Sequence, residues 1–448
     1  IGTLGNRIDI VSPIVDYPNL AGEDVIATST YLDIQGSSEI NDGVPVVIDN
    51  AVFDVTGEGG DIYYGTIEVL GDGTSAEPLL KIVVTGGRIL PTNMHPDPAM
   101  SALNGAITLD GADALLSSDM DIVINQFSAA GGDFEITSGG DVLAYANDTD
   151  TLEDSYIYLD DADCSITAAG SIEQRVVTAE SGSYYSADAG ANITVIDESA
   201  GIWAQDSTIE LTAGGYMTYN VIVLDNSSYT AQAAGSCTVY GGLAGLYAQD
   251  STADITAGGD ITYNVIQMLN SAYTAISGGS YTAYDTSSSV FAEDSAIDIT
   301  ATGEITYTLT WLENSSYTAV TGGTFSPFDE LANIVASDSG FDVMAAGDIT
   351  YTQVNADNTG IALRTTGGNI FALNADSYVK LTGDTSTIVL SALYDIGKQD
   401  MHMLSDINEN VTVEIEHVED YWIDSVDIPI TVFAITSVHG GLDVNGNE

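Results

Sequence analysis

Four carboxylates recur at one place in a repeated phrase: Glu210, Asp254, Asp298 and Asp342, each 44 residues from the last. A second set, Asp260, Glu304 and Asp348, keeps the same interval. Columns of carboxylates can hold Ca²⁺ loosely through surface oxygens, and a close pair can act as acid and base on a glycosidic bond. An active site needs one such pair, however, and not a copy in every repeat. A polysaccharide lyase would also need a cation beside the substrate and a base. The only candidates are Arg7, Lys81, Arg88, Arg175, Arg364, Lys380 and Lys398, with His95, His402, His417 and His439, and none falls between 206 and 351. Zinc-ligand spacing, phosphate loops, EF-hands and the G-G-x-G-x-D calcium repeat are missing from the sequence. The expectation is therefore no enzyme, no catalytic residue and no cofactor. Weak Ca²⁺ binding at Glu210, Asp254, Asp298 and Asp342 stands against a plain solvated acidic face.

Aromatic residues form the other regular set: Tyr219, Tyr240, Tyr263, Tyr284, Tyr307, Phe328 and Tyr351, at steps of 21 and 23. They share a face with Met217, Ile261, Ile305 and Ile349. Stacking in a packed core is the first explanation, and carbohydrate binding on an exposed row the second.

The elements that place these residues are read from the phrases themselves. "DSTIELTAGGYMTY" at 206 returns as "DSTADITAGGDITY" at 250, "DSAIDITATGEITY" at 294 and "DSGFDVMAAGDITY" at 338. A fixed period without slippage means that each unit stacks on its neighbour. Ile209, Leu211 and Ala213 alternate with polar residues, as do Ala253, Ile255 and Ala257, so these are β-strands with one buried face. Gly-Gly, Asp-Ser and Asn-Ser divide them about every ten residues, where positive φ or Asx turns are needed. The fold class predicted is all-β, a parallel β-solenoid with coils of 21–23 residues in a 44-residue double repeat. A β-propeller or an antiparallel meander is the alternative.

Charge favours the solenoid. Counting 21 residues on from the first column reaches Ala231, Ala275 and Ala319, and from the second Tyr281 and Phe325. Carboxylates would then occupy every second coil. On adjacent coils, about 4.8 Å apart, two charges would repel by roughly 3.5 kcal/mol at an effective dielectric of about 20.

Residues 1–115 carry seven of the nine prolines and read as an irregular β region, with "PTNMHPDP" at 91–98 as a linker or protruding loop. Residues 116–385 are the repeats. Residues 386–448 read as a terminal cap, an antiparallel end-piece or an assembly region, because a solenoid end is a bare sheet edge.

Seven Lys and Arg face 66 Asp and Glu, a net charge of −59, yet charged residues are only 16% of the chain. The bases are nearly missing, which repels nucleic acid and anionic lipid and leaves few sites for trypsin-like proteases. A halophilic bias would produce the same balance. No apolar run of about 18 residues exists to span a membrane, and a start at Ile1 suggests a processed or trimmed N-terminus. Cys164 and Cys237 could pair, stay free or link subunits.

"LTAGGYMTY", "ITAGGDITY" and "AAGDITY" resemble the repeats of filamentous-haemagglutinin-type secreted β-helix adhesins, and "IGTLGNRIDI" is similar to another phrase of those proteins. The resemblance covers residues 1–10 and roughly 130–370, and implies a secreted or surface-exposed solenoid without catalytic residues. In acidity and Tyr, Ser and Thr richness the whole chain also resembles the self-assembling, amyloid-like sheath proteins of methanogenic archaea. The function expected is an extracellular structural protein that polymerises with copies of itself. A surface adhesin for carbohydrate or another cell is the alternative, and a β-helix polysaccharide-degrading enzyme comes third.

Overall fold

The computed structural model describes residues 48–396 with short gaps, and beyond them only the backbones of isolated strands between 7 and 47 and between 404 and 432. It divides into two compact units, Ile1–Ala231 and Gln232–Glu448. In both, short strands pair in parallel with the equivalent strands of the coils before and after. This excludes the propeller and the antiparallel meander.

Each coil contributes one strand to each of three sheets. In the second unit one coil comprises Gly245–Gln249 in the first sheet, Thr252–Ala257 in the second and Ile261–Tyr263 in the third. Alternate residues of these strands turn inward. Ile297, Ile299, Ala301, Ile305 and Tyr307, for example, are all at most 3% exposed. Coil on coil, these side chains form a continuous dry column.

Second-sheet strands begin at 252, 272, 296, 316, 340 and 360, so the coils alternate between 20 and 24 residues. They are not 21 and 23. The extra four residues lie at one corner, between the third sheet and the first. After Tyr263 and Tyr307 a single residue, Asn264 or Thr308, turns it; after Ala283 and Pro327 five residues do. Tyr284 and Phe328 fall in those longer loops, one residue beyond the true partners of Tyr263 and Tyr307, which are Ala283 and Pro327.

That displacement corrects the aromatic ladder. Tyr219, Tyr263, Tyr307 and Tyr351 are buried, whereas Tyr284 and Phe328 are 43% and 40% exposed, and Tyr240 lies outside the described residues. The buried rings take alternate coils, and the small residue between leaves them room. Tyr263 stacks on Tyr281 at 4.9 Å, and Tyr307 on Phe325 at 5.0 Å. The Tyr263 hydroxyl donates to the Thr306 carbonyl at 3.2 Å, and the Tyr307 hydroxyl accepts from the Thr352 amide at 3.2 Å, each about 44 residues on. One ring thus ties two coils, which is why the repeat is double.

The Asp-Ser and Asn-Ser phrases are the corner between the first and second sheets. Asp250, Asn270, Asp294, Asn314, Asp338 and Asn358 all have φ between 47° and 51°, a left-handed conformation that Asn and Asp tolerate best after glycine. The following Ser is buried. Ser271 and Ser295 accept from the Ser251 and Ser271 amides at 3.1 and 3.0 Å, and their hydroxyls donate to the Leu269 and Glu293 carbonyls at 2.7 and 2.6 Å. A buried polar corner is in this way fully paired.

The Gly-Gly corner works differently. None of Gly258, Gly259, Gly278 and Gly279 has positive φ. A Cβ on Gly258 would instead lie 2.1 Å from the Ala234 carbonyl oxygen, and one on Gly278 2.2 Å from that of Gly258. Glycine is required there because stacked backbones nearly touch.

The parallel stack does not change character at residue 115: Leu80–Thr85 pairs with Ala114–Ser118. Of the "PTNMHPDP" stretch, Pro91 ends a third-sheet strand and Thr92–Met94 form a 3-10 turn; residues 95–98 lie outside the described residues. Past 385 the expected antiparallel end-piece is not found, since Thr412–His417 pairs in parallel with Thr387–Ser391. Cys164 and Cys237 are both free and buried, and burial pushes the Cys237 thiol up to about 12.

Candidate functional surfaces

The two outward faces of the second unit differ in chemistry. On the second sheet the strands present Thr and Asp: Thr252, Asp254 and Thr256, then Asp298 and Thr300. On the first sheet they present larger apolar groups: Val265 and Leu269, then Phe291, then Leu309 and Trp311.

The acidic column is real but differently composed. Glu210 lies in the first unit, and its carboxylate accepts a 2.5 Å hydrogen bond from the Tyr184 hydroxyl. Asp254, Asp298 and Asp342 are exposed in the second, on every second coil. The residues between them are Thr274 and Thr318. Ala231, Ala275 and Ala319 point the other way, into the core, because a count of 21 on a 20-residue coil slips by one and reverses the face. Successive members of the column are thus about 9.5 Å apart, too far for two to share one cation. Arg364 occupies Asp342 at 3.0 Å. Among the described residues, no three His, Cys, Asp or Glu side chains gather as a metal site.

The same slip affects Asp260, Glu304 and Asp348. Their neighbours in register are Ser280 and Thr324, while Tyr281 and Phe325 are core residues. These acids serve the backbone: the Asp260 carboxylate accepts from the Ser280 amide at 2.8 Å, and Asp348 from the Asn369 amide at 2.7 Å. At the Asx corner the Asn270 and Asn314 side-chain amides donate to the Asp250 and Asp294 carboxylates. An acid in every coil would repel its neighbour; an amide between acids attracts both.

The rings proposed as an exposed sugar-binding row are closed to ligand, since Tyr263 and Tyr307 are each 1% exposed. Burial pushes both phenols up to about 12. The exposed rings are others, which the repeat analysis passed over. A groove of about 470 Å³ on the first sheet is lined by Gln267, Leu269, Phe291, Glu293, Trp311 and Glu313. Its parts come from three successive coils, with Gln267 opposite Phe291 and Phe291 opposite Trp311. Trp311 is 46% exposed and Leu269 37%. Glu293 and Glu313 are direct neighbours in register, both exposed. The signal was present in "VIQML" and "LTWLE", where the expected apolar-polar alternation fails on the outward face.

Comparisons of the chain with protein-family models, with curated proteins and with solved structures find no match, and the likeness of its repeats to haemagglutinin-type and sheath proteins remains one of wording and character.

Proposed function

We propose that this chain is an extracellular structural protein, not an enzyme, whose solenoid copies associate into a surface layer, sheath or fibre. One observation carries the reading: from Thr252 to Thr365 each coil meets the next through the same residue-for-residue parallel register. The joint between coils is a single repeated surface, and an unpaired coil edge offers another copy the same backbone donors and acceptors. Alternation of Asp and Asn at the corner extends the logic, since an Asp coil is complementary to an Asn coil. The acids that would have to be catalytic are engaged in holding this frame. The near-absence of Lys and Arg suits a protease-exposed location, and no helix of the described residues is long and apolar enough to cross a membrane.

The test is physical. Purified protein examined by electron microscopy and fibre diffraction at high salt and millimolar Ca²⁺ should show ordered, detergent-resistant polymers with a reflection near about 4.8 Å. A chain that stays a monodisperse monomer under those conditions sinks the proposal. The adhesin reading, supported by the exposed rings of the first sheet, would then take its place.

A further inference from the structure

Within the repeats of the second unit, carboxylates are rationed with care. Asp250, Asp294 and Asp338 alternate with Asn; Asp254, Asp298 and Asp342 alternate with Thr; Asp260, Glu304 and Asp348 alternate with Ser and Thr. One pair between residues 245 and 365 breaks the pattern. Glu293 and Glu313 stand opposite each other in register on adjacent coils, a single coil step apart. Neither takes a hydrogen bond or ion pair from a described side chain; the ion pairs of Lys81, Arg88 and Arg364 go to Asp54, Asp61 and Asp342. A local rule broken without internal compensation is the usual mark of a functional position.

The surroundings say what would compensate it. Beside the two carboxylates are Phe291, Trp311 and Leu269, apolar groups left in water on a sheet whose inward face is already filled. A partner that relieves both costs must carry positive charge at the end of an apolar or planar stem. Guanidinium fits best, since it stacks on an aromatic face and binds carboxylate through a planar fork. We propose that this groove is a docking site for an arginine-containing basic segment of another protein. A further copy of this chain cannot supply it from the described residues: Arg88 and Arg364 are paired, and Arg175 is 8% exposed. The location is independent of the coil edges through which copies would associate.

The experiment titrates the full-length chain with a short Arg-rich peptide at physiological salt, followed by calorimetry. Nonspecific attraction to a strongly acidic surface is the obvious competitor, so two isocharged double variants are compared. E293Q/E313Q should weaken binding at least about tenfold, whereas D254N/D298N should leave it within about twofold. Trp311→Ala should weaken binding by a similar factor and Trp311→Phe retain most of it, with circular dichroism confirming that each variant is folded. Equal losses in the two double variants would overturn the site in favour of diffuse charge. Tight binding of a chitosan oligosaccharide in place of the peptide would overturn the choice of partner, and no binding of either would overturn the groove as a docking site.

Discussion

The two units build the same coil under different discipline. In the second, coil lengths alternate strictly between 20 and 24 residues over most of its length. In the first, second-sheet strands begin at 80, 114, 133, 163 and 184, so the steps vary from 19 to 34. Acids follow suit. Asp133 faces Asp163 and Asp160 faces Glu180 on adjacent coils of the first unit. Asp133 is consequently raised above the ordinary carboxylate range, chiefly by burial and then by Asp113 and Asp163. The Glu180 carboxylate takes a 3.1 Å hydrogen bond from the Tyr158 hydroxyl. Where coils are irregular, single contacts such as this settle each conflict; where they are regular, one alternation settles all of them. Regularity is what makes charge tolerable along a stack this acidic.

The largest contrast to test is steric. Gly258→Ala in the regular unit drives a Cβ into the Ala234 carbonyl oxygen, and should cost roughly 3 kcal/mol. Gly131→Ala in the first unit meets open space at φ +63°, and should cost only about 1 kcal/mol for its left-handed backbone. Chemical denaturation compares them; equal costs would mean that coil contact is not what selects glycine.

Next in size are the rings. Tyr307→Ala removes a buried stack and should destabilise by about 3–5 kcal/mol, while Tyr284→Ala, on a corner loop, should stay within about 0.5 kcal/mol. Ionisation adds a pH signature. The Tyr263 and Tyr307 phenols titrate near about 12 folded and near about 10 unfolded. Above pH 10 the unfolded chain therefore binds fewer protons, so stability, intact below that pH, falls as pH rises toward 12. Melts across that window should drop steeply, and Tyr263→Phe should flatten the fall.

Charge at the corner comes third. Asn314→Asp replaces the amide that serves Asp294 with a second carboxylate, and should cost about 1–2 kcal/mol at low salt, partly restored by added salt. In the first unit the opposite holds: Asp133→Asn removes a repelled acid beside Asp163 and should stabilise by a few tenths of a kcal/mol at neutral pH. Because the Asp133 carboxyl is raised, its contribution is lost as pH rises through its titration, so that gain should vanish in acid. A chelator and added Ca²⁺ should shift melting least of all, since Asp254, Asp298 and Asp342 meet a cation singly; a shift of several degrees would restore the Ca²⁺ column.

Much of this was legible in the chain itself. A 44-residue period without slippage, inward apolar residues at every second position and Asp-Ser or Asn-Ser words at the turns specify stacked β coils, because each signal is local and is repeated four times. The rationing of acids onto alternate coils was legible too, as charges interact over distances longer than one residue. The phase within the double repeat was not. Tyr284 and Phe328 look like members of the Tyr263 and Tyr307 series, yet a five-residue corner carries them one place too far, and one place in a strand is the difference between core and solvent. Nor could the words show why Gly258 is glycine, since the Ala234 carbonyl that forbids a side chain belongs to another coil. The groove is the extreme case: Gln267, Phe291 and Trp311 are 24 and 20 residues apart in sequence and become neighbours only once coil register is set.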